Sequence, residues 1–232
     1  MKKLFASVIC VIFLASLSFA GVSTDTKTYN YKDFTSVGVS SGIELKVTQS
    51  DDYSITVTGD RDDLKDLIVE QRGNSLRFRF DEDGWFNNHG TVKIEIAMPK
   101  LTSIGLSGGS EANITMDIGS DDFSAGLSGS SELKGSLKCG DIHLATSGSS
   151  EITLNGDCKY LKLAGSGGSE YHLKNFSATG VKASLSGGCE ATVNMNGKLS
   201  FSGSGGSQLM YYGNAELGSI RASGGSGVSK GR

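Results

Sequence analysis

One short motif occurs seven times along this chain and limits what it can fold into more than any other feature. Ser107-Gly108-Gly109-Ser110-Glu111 reappears as Ser128-Gly129-Ser130-Ser131-Glu132, Ser147-Gly148-Ser149-Ser150-Glu151 and Ser166-Gly167-Gly168-Ser169-Glu170. It continues as Ser186-Gly187-Gly188-Cys189-Glu190, Ser204-Gly205-Gly206-Ser207-Gln208 and Ser223-Gly224-Gly225-Ser226-Gly227. The final positions of the motif are separated by 21, 19, 19, 20, 18 and 19 residues. A period held this closely marks a repeat architecture, in which each repeat buries its apolar side against the next.

Each period is filled by alternation. One and three places after the Glu lie Ala112 and Ile114, Ile152 and Leu154, Tyr171 and Leu173, Ala191 and Val193. Asn113, Thr153, His172 and Thr192 fall between them. Strict alternation marks a half-buried strand. A turn signal often follows, as at Asn155-Gly156-Asp157 or Asn196-Gly197. A second alternating run returns to the motif. Nine places before the Glu or Gln stand Phe123, Ile142, Leu161, Val181 and Leu199. Seven places before it stand Ala125, Leu144, Leu163, Ala183 and Phe201.

Such columns predict an all-β fold, a right-handed parallel β-helix (a single-stranded β-solenoid) of about nine coils. Equivalent residues then stack about 4.8 Å apart, and a coil of about 19 residues has a perimeter of about 60 Å. Gly and Ser suit the corners, since Gly accepts positive φ and Ser bonds the turn backbone. A propeller wants about 40 residues per blade. A leucine-rich repeat needs Leu and Asn columns that are absent here.

Residues 24–100 are less regular. Phe34–Val39, Ile43–Thr48, Tyr53–Thr58, Leu76–Phe80 and Val92–Met98 read as strands, and Asp62–Ile68 as one or two helical turns. Ser40-Ser41-Gly42-Ile43-Glu44 is a degenerate copy of the corner, so this segment is expected to join the same stack. The reading divides the chain into residues 1–20, an extension 21–33, an irregular β segment 34–100 and the regular repeats 101–232.

The stretch Phe34-Thr35-Ser36-Val37-Gly38-Val39-Ser40-Ser41-Gly42-Ile43-Glu44-Leu45-Lys46-Val47-Thr48-Gln49 resembles the opening of the head GIN domain family. Met98-Pro99-Lys100-Leu101 and the series of Ser-Gly-x-Ser-Glu corners fit the same family. The resemblance spans nearly the whole chain after residue 20. It implies an exported right-handed β-helix labelled "putative auto-transporter adhesin", with no catalytic residues to carry over.

Residues 1–20, MKKLFASVICVIFLASLSFA, have the pattern of a secretory signal peptide. Lys2 and Lys3 precede an apolar run from Leu4 to Leu17, shorter than the roughly 20 residues of a spanning helix. Export to the periplasm or cell surface is expected, with no membrane span in the mature chain. Loss of Lys2 and Lys3 takes the net charge from −3 to −5. That balance excludes nucleic acid as a partner, because phosphate binding needs a basic face. With 37% hydrophobic and 20% charged residues, the chain is too apolar to be disordered.

No constellation points to catalysis or to a cofactor. Acids cluster at Asp51-Asp52, Asp60–Asp63 and Asp81–Asp83, but no pair falls on successive coils with an Arg beside it. His89, His143 and His172 hold unrelated repeat positions, so a His-based triad or metal site lacks partners. The column Glu111, Glu132, Glu151, Glu170 and Glu190 is the most singular feature. It reads either as a solvated row that discourages lateral sheet pairing, or as a stripe for a cation or a cationic partner. One Glu per coil gives few oxygens, against the six to eight that calcium takes. Trp85 and Phe86, in the polar loop Asp81–Gly90, read as a cap on the stack or as a ligand contact. Tyr211-Tyr212 is a second aromatic pair.

Cys139 and Cys158 lie twelve places before Glu151 and Glu170, at one repeat position on adjacent coils. They are expected to be neighbours, either as a disulfide or as two buried thiols. Cys189 replaces a motif Ser and is expected as a free thiol in its corner. The functional expectation is a non-enzymatic binding or adhesion module at the cell envelope, with envelope glycans or surface proteins as partners. The alternatives are a carbohydrate-active β-helix enzyme (a polysaccharide lyase or hydrolase) and a structural spacer.

Overall fold

The computed structural model describes residues 24–80 and 90–232. Residues 1–20, with the signal-peptide reading, and the loop holding Trp85 and Phe86 lie outside the described residues. Strand accounts for 68% of the chain and helix for 3%, so the class is all-β. The strands build a β-solenoid of about 7 turns with coils of about 19 residues.

Each coil crosses two parallel ladders. The first takes Ser103–Ser107, Phe123–Leu127, Asp141–Thr146, then residues 160–165, 180–185, 198–203 and 217–222. The second takes Glu111–Asp117, Glu132–Lys138, residues 151–157, 170–178, 190–197 and 208–213, and ends on Gly227–Lys230. Long strands such as Glu151–Gly165 pass from one ladder to the other, with register shifts near the bend, as between Thr153 and Gly156.

The inward columns are those of the alternation. Phe123, Ile142, Leu161, Val181 and Leu199 are buried in one, and Ala125, Leu144, Leu163, Ala183 and Phe201 in the next. The second ladder buries Ile152, Leu154, Tyr171, Leu173, Ala191 and Val193. The columns run out at the last coil, where Leu217 is 54% and Ile220 39% exposed.

The Ser-Gly-x-Ser corner has a physical reason. Gly167 has φ +80°, and a Cβ there would lie 2.4 Å from the carbonyl oxygen of Gly148 on the previous coil. Only glycine meets both conditions. The second Ser is buried and turns inward. Ser110 Oγ donates to the Ser107 carbonyl at 2.8 Å, Ser131 to Ser128 at 2.8 Å and Ser207 to Ser204 at 2.9 Å. Each buried hydroxyl is thereby satisfied within its own turn.

The N-terminal segment enters the stack out of chain order. Ser36–Ser40 pairs in parallel with both Ser75–Phe80 and Ser103–Ser107. Glu44–Gln49 does the same with Lys93–Met98 and Glu111–Asp117. The spatial order is therefore 75–98, 36–49, 103–117. The regular repeats make about seven turns, and two further rungs come from these earlier segments in reversed order, close to the nine coils expected.

Beyond them the ladder turns antiparallel. Ser54–Asp60 pairs antiparallel with Lys93–Met98, Thr24–Tyr29 with Ser54–Asp60, and Leu67–Arg72 with Ser75–Phe80. The short helix Arg61–Asp66 is N-capped by Asp60, whose carboxylate accepts from the Asp62 amide at 2.9 Å, and it buries Leu64.

Candidate functional site

A stack with a filled interior can act only through its outward side chains. These fall into columns, because the ladder register repeats them from coil to coil. Glu44, Glu111, Glu132, Glu151, Glu170, Glu190 and Gln208 are successive register partners. Bases interleave with them. Lys93 reaches Glu44 at 3.1 Å and Lys134 reaches Glu132 at 2.5 Å. His172 Nε2 lies 3.4 Å from Glu151 and 3.2 Å from Glu170. The hydrogen bond to Glu132, and then its charge, holds Lys134 above the ordinary lysine range. Among the described residues, no group of three or more His, Cys, Asp or Glu side chains is placed to hold a metal ion.

Cys139 and Cys158 are brought together at the opposite corner. Their preceding residues, Lys138 and Asp157, are ladder partners, and the Cys139 amide donates to the Asp157 carbonyl at 3.2 Å. Both are buried and both are free thiols. The disulfide weighed from the sequence is thus not formed in this structure. Burial, followed by the charge of Asp122, pushes the Cys139 thiol up to about 12. Burial, followed by Cys139 itself, pushes Cys158 up to about 12. Thiols held protonated in this way are poor nucleophiles for disulfide exchange. Cys189 is the third free thiol. Its Sγ takes the place of the corner hydroxyl, 3.1 Å from the Ser186 carbonyl.

Of the second aromatic pair, Tyr212 lies beneath Lys174, whose Nζ is 4.3 Å from the ring centroid, and Tyr211 packs partly buried against the core.

The sequence reading missed Tyr160. It sits on the first ladder in register with Asp141 on one side and Gly180 on the other. A Cβ at Gly180 would lie 2.8 Å from the Tyr160 ring, so the missing side chain lets the ring lie on the sheet. Gly180 is buried beneath it, while Tyr160 is 38% exposed. Two residues along, His143, Lys162 and Lys182 form the neighbouring outward column. Burial, and then the charge of Lys162, holds His143 below its ordinary range. A surface groove of about 260 Å³ is lined by Asp122, Asp141, His143, Tyr160 and Lys162 among others. The available signal was that a Tyr and a Gly share one repeat position, 20 residues apart.

The family profile described as "Putative auto-transporter adhesin, head GIN domain" matches residues 33–215. The chain belongs to this family. The solenoid of this head GIN domain is shared with solved structures. A putative adhesin from Bacteroides fragilis is similar at TM-score 0.81 and 19% identity, covering 90% of this chain and 97% of that one. A putative adhesin from Parabacteroides merdae has TM-score 0.67 and 16% identity, covering 92% and 98%. A putative lipid binding protein from Parabacteroides distasonis has TM-score 0.66 and 16% identity, also covering 92% and 98%. At these identities the likeness is one of fold. No curated protein matches the sequence. Among the described residues, no helix is long and apolar enough to cross a membrane.

Proposed function

We propose that this head GIN domain is a non-enzymatic binding module, exported under the direction of residues 1–20, that adheres to glycans or proteins of the cell envelope. The observation that carries this reading is the surface itself. The outward side chains Glu111, Glu132, Glu151, Glu170 and Glu190 recur in register on successive parallel strands. A surface of identical steps suits repeated weak contacts along a polymer, where multivalency multiplies affinity. The family label and the neighbours described as adhesins agree with it.

The test is incubation of the protein with a panel of acidic and neutral polysaccharides and envelope fractions, scoring retention and chain cleavage. Retention without cleavage is the expected result. Cleavage overturns the reading in favour of a carbohydrate-active enzyme. Neither retention nor cleavage leaves only a structural spacer.

A further inference from the structure

We propose that Tyr160, Lys162 and Lys182 form a subsite for an acidic sugar unit of a polysaccharide, a hexuronate residue in particular. The inference rests on the adhesion reading above and names its ligand class. An aromatic ring laid flat, with one face on backbone and the other open, is a platform for the apolar face of a pyranose. Gly180 leaves room for the Tyr160 ring over the neighbouring strand, since a Cβ there would meet ring atoms Cδ2 and Cε2 at 2.8 and 3.0 Å, while Tyr160 stays 38% exposed.

The charge beside the platform is the second observation. Lys162 and Lys182 are direct ladder partners on adjacent parallel strands, with backbones about 4.8 Å apart, and both are exposed. Like charges placed side by side on a sheet oppose its pairing. Among the described residues neither lysine forms a salt bridge. Their repulsion is relieved when an anion lies across both. A hexuronate supplies a carboxylate for the two ammonium groups and a ring for Tyr160. Its hydroxyls meet Asp141 and His143, which line the groove alongside. A sulfate or phosphate ion offers no ring, and a neutral hexose offers no charge, so the pair of features selects an acidic sugar.

The experiment measures binding of the full chain to oligogalacturonate, to its methyl ester and to dextran sulfate, at fixed ionic strength. The wild type is expected to bind oligogalacturonate at least tenfold more tightly than the ester. Tyr160→Ala and the double variant Lys162→Gln/Lys182→Gln should each weaken that binding about tenfold, while Lys46→Gln, on the other ladder, leaves it unchanged. An unchanged melting temperature in each variant separates loss of the site from loss of fold. Equal binding of ester and acid, or binding indifferent to Tyr160→Ala, overturns the subsite. Dextran sulfate binding as tightly as oligogalacturonate, with no effect of Tyr160→Ala, reduces it to a general polyanion contact. Retention on another polysaccharide of the panel without oligogalacturonate binding overturns the subsite alone. Retention on none overturns the adhesion reading with it.

Discussion

Leu163 stacks directly on Leu144 of the preceding coil, and both side chains are almost wholly buried. Ala183 follows Leu163 in the same column, and Ile220, after Phe201, ends it. Leu163→Ala should therefore cost about 2–5 kcal/mol, the usual loss for a buried Leu. Ile220→Ala, at a position 39% exposed, should cost under about 1 kcal/mol, as exposed substitutions do. Urea unfolding of both variants checks the pair. Equal costs would place the wrong residues inside.

The corner glycines offer a sharper contrast within one turn. Gly167 needs positive φ and a bare α-carbon, whereas a Cβ on Gly168 would meet nothing within 4 Å. Gly167→Ala should lose more than about 2 kcal/mol, from strain and the clash with Gly148 together. Gly168→Ala should stay within about 1 kcal/mol. Thermal unfolding of the two variants, compared at equal concentration, is sufficient.

Glu151 is part of a surface row. Glu151→Gln should change stability by under about 1 kcal/mol, since exposed ion pairs such as the one with His172 contribute little. Micromolar calcium should leave the wild-type melting temperature where it is. A rise of several degrees would make the row a cation site.

The coil register sets which cysteines can meet. Because Cys139 and Cys158 are buried and held protonated, diamide oxidation of the native protein should be slow, and the one intramolecular bridge it gives should be Cys139–Cys158, with Cys189 left as the thiol. Peptide mapping by mass reads the result. A bridge from Cys189 to either of the others would contradict the ladder, which places it at a different corner.

Alkaline pH should destabilise the fold through the same two thiols. Unfolded, each ionises at an ordinary 9.0, but folded only at about 12. The unfolded chain thus sheds these protons first, and stability falls as pH rises from 9 towards 12. Each group contributes up to about 1.4 kcal/mol per pH unit inside that window. Tyr171, raised by burial from 10.0 to about 12, adds its share above pH 10. Replacing both Cys139 and Cys158 with Ala should flatten the slope between pH 9 and 10, as measured by urea midpoints.

The repeat region was legible because alternation and a constant period leave one inward register. Phe123 to Leu199 could be placed from spacing alone. The Ser40–Glu44 corner was legible too, and Glu44 does sit beside Glu111. The order of the first rungs was not. Ser36–Ser40 and Ser75–Phe80 have equal title to the place beside Ser103–Ser107, since parallel pairing asks only for matched alternation. Which one wins depends on the hairpin at Gly73 and on the antiparallel cover over Ser54–Asp60. The strands Thr24–Tyr29 and Leu67–Arg72 owe their state to their antiparallel partners, Ser54–Asp60 and Ser75–Phe80, more than to their own pattern. Tyr160 escaped notice because its meaning comes from Gly180, on a different coil, and not from its immediate neighbours.

The reversed order of the first rungs also sets a timetable. A growing chain makes residues 36–49 before either of the segments that will flank them. Those strands have no parallel partner until 75–98 has been synthesised, and no second one until 103–117 follows. Solenoids otherwise grow by adding each repeat to the one before. Here non-local contacts have to close first, at the entropic cost of looping roughly forty to seventy residues. The many later coils, each needing only its predecessor, then add in the order in which they are made.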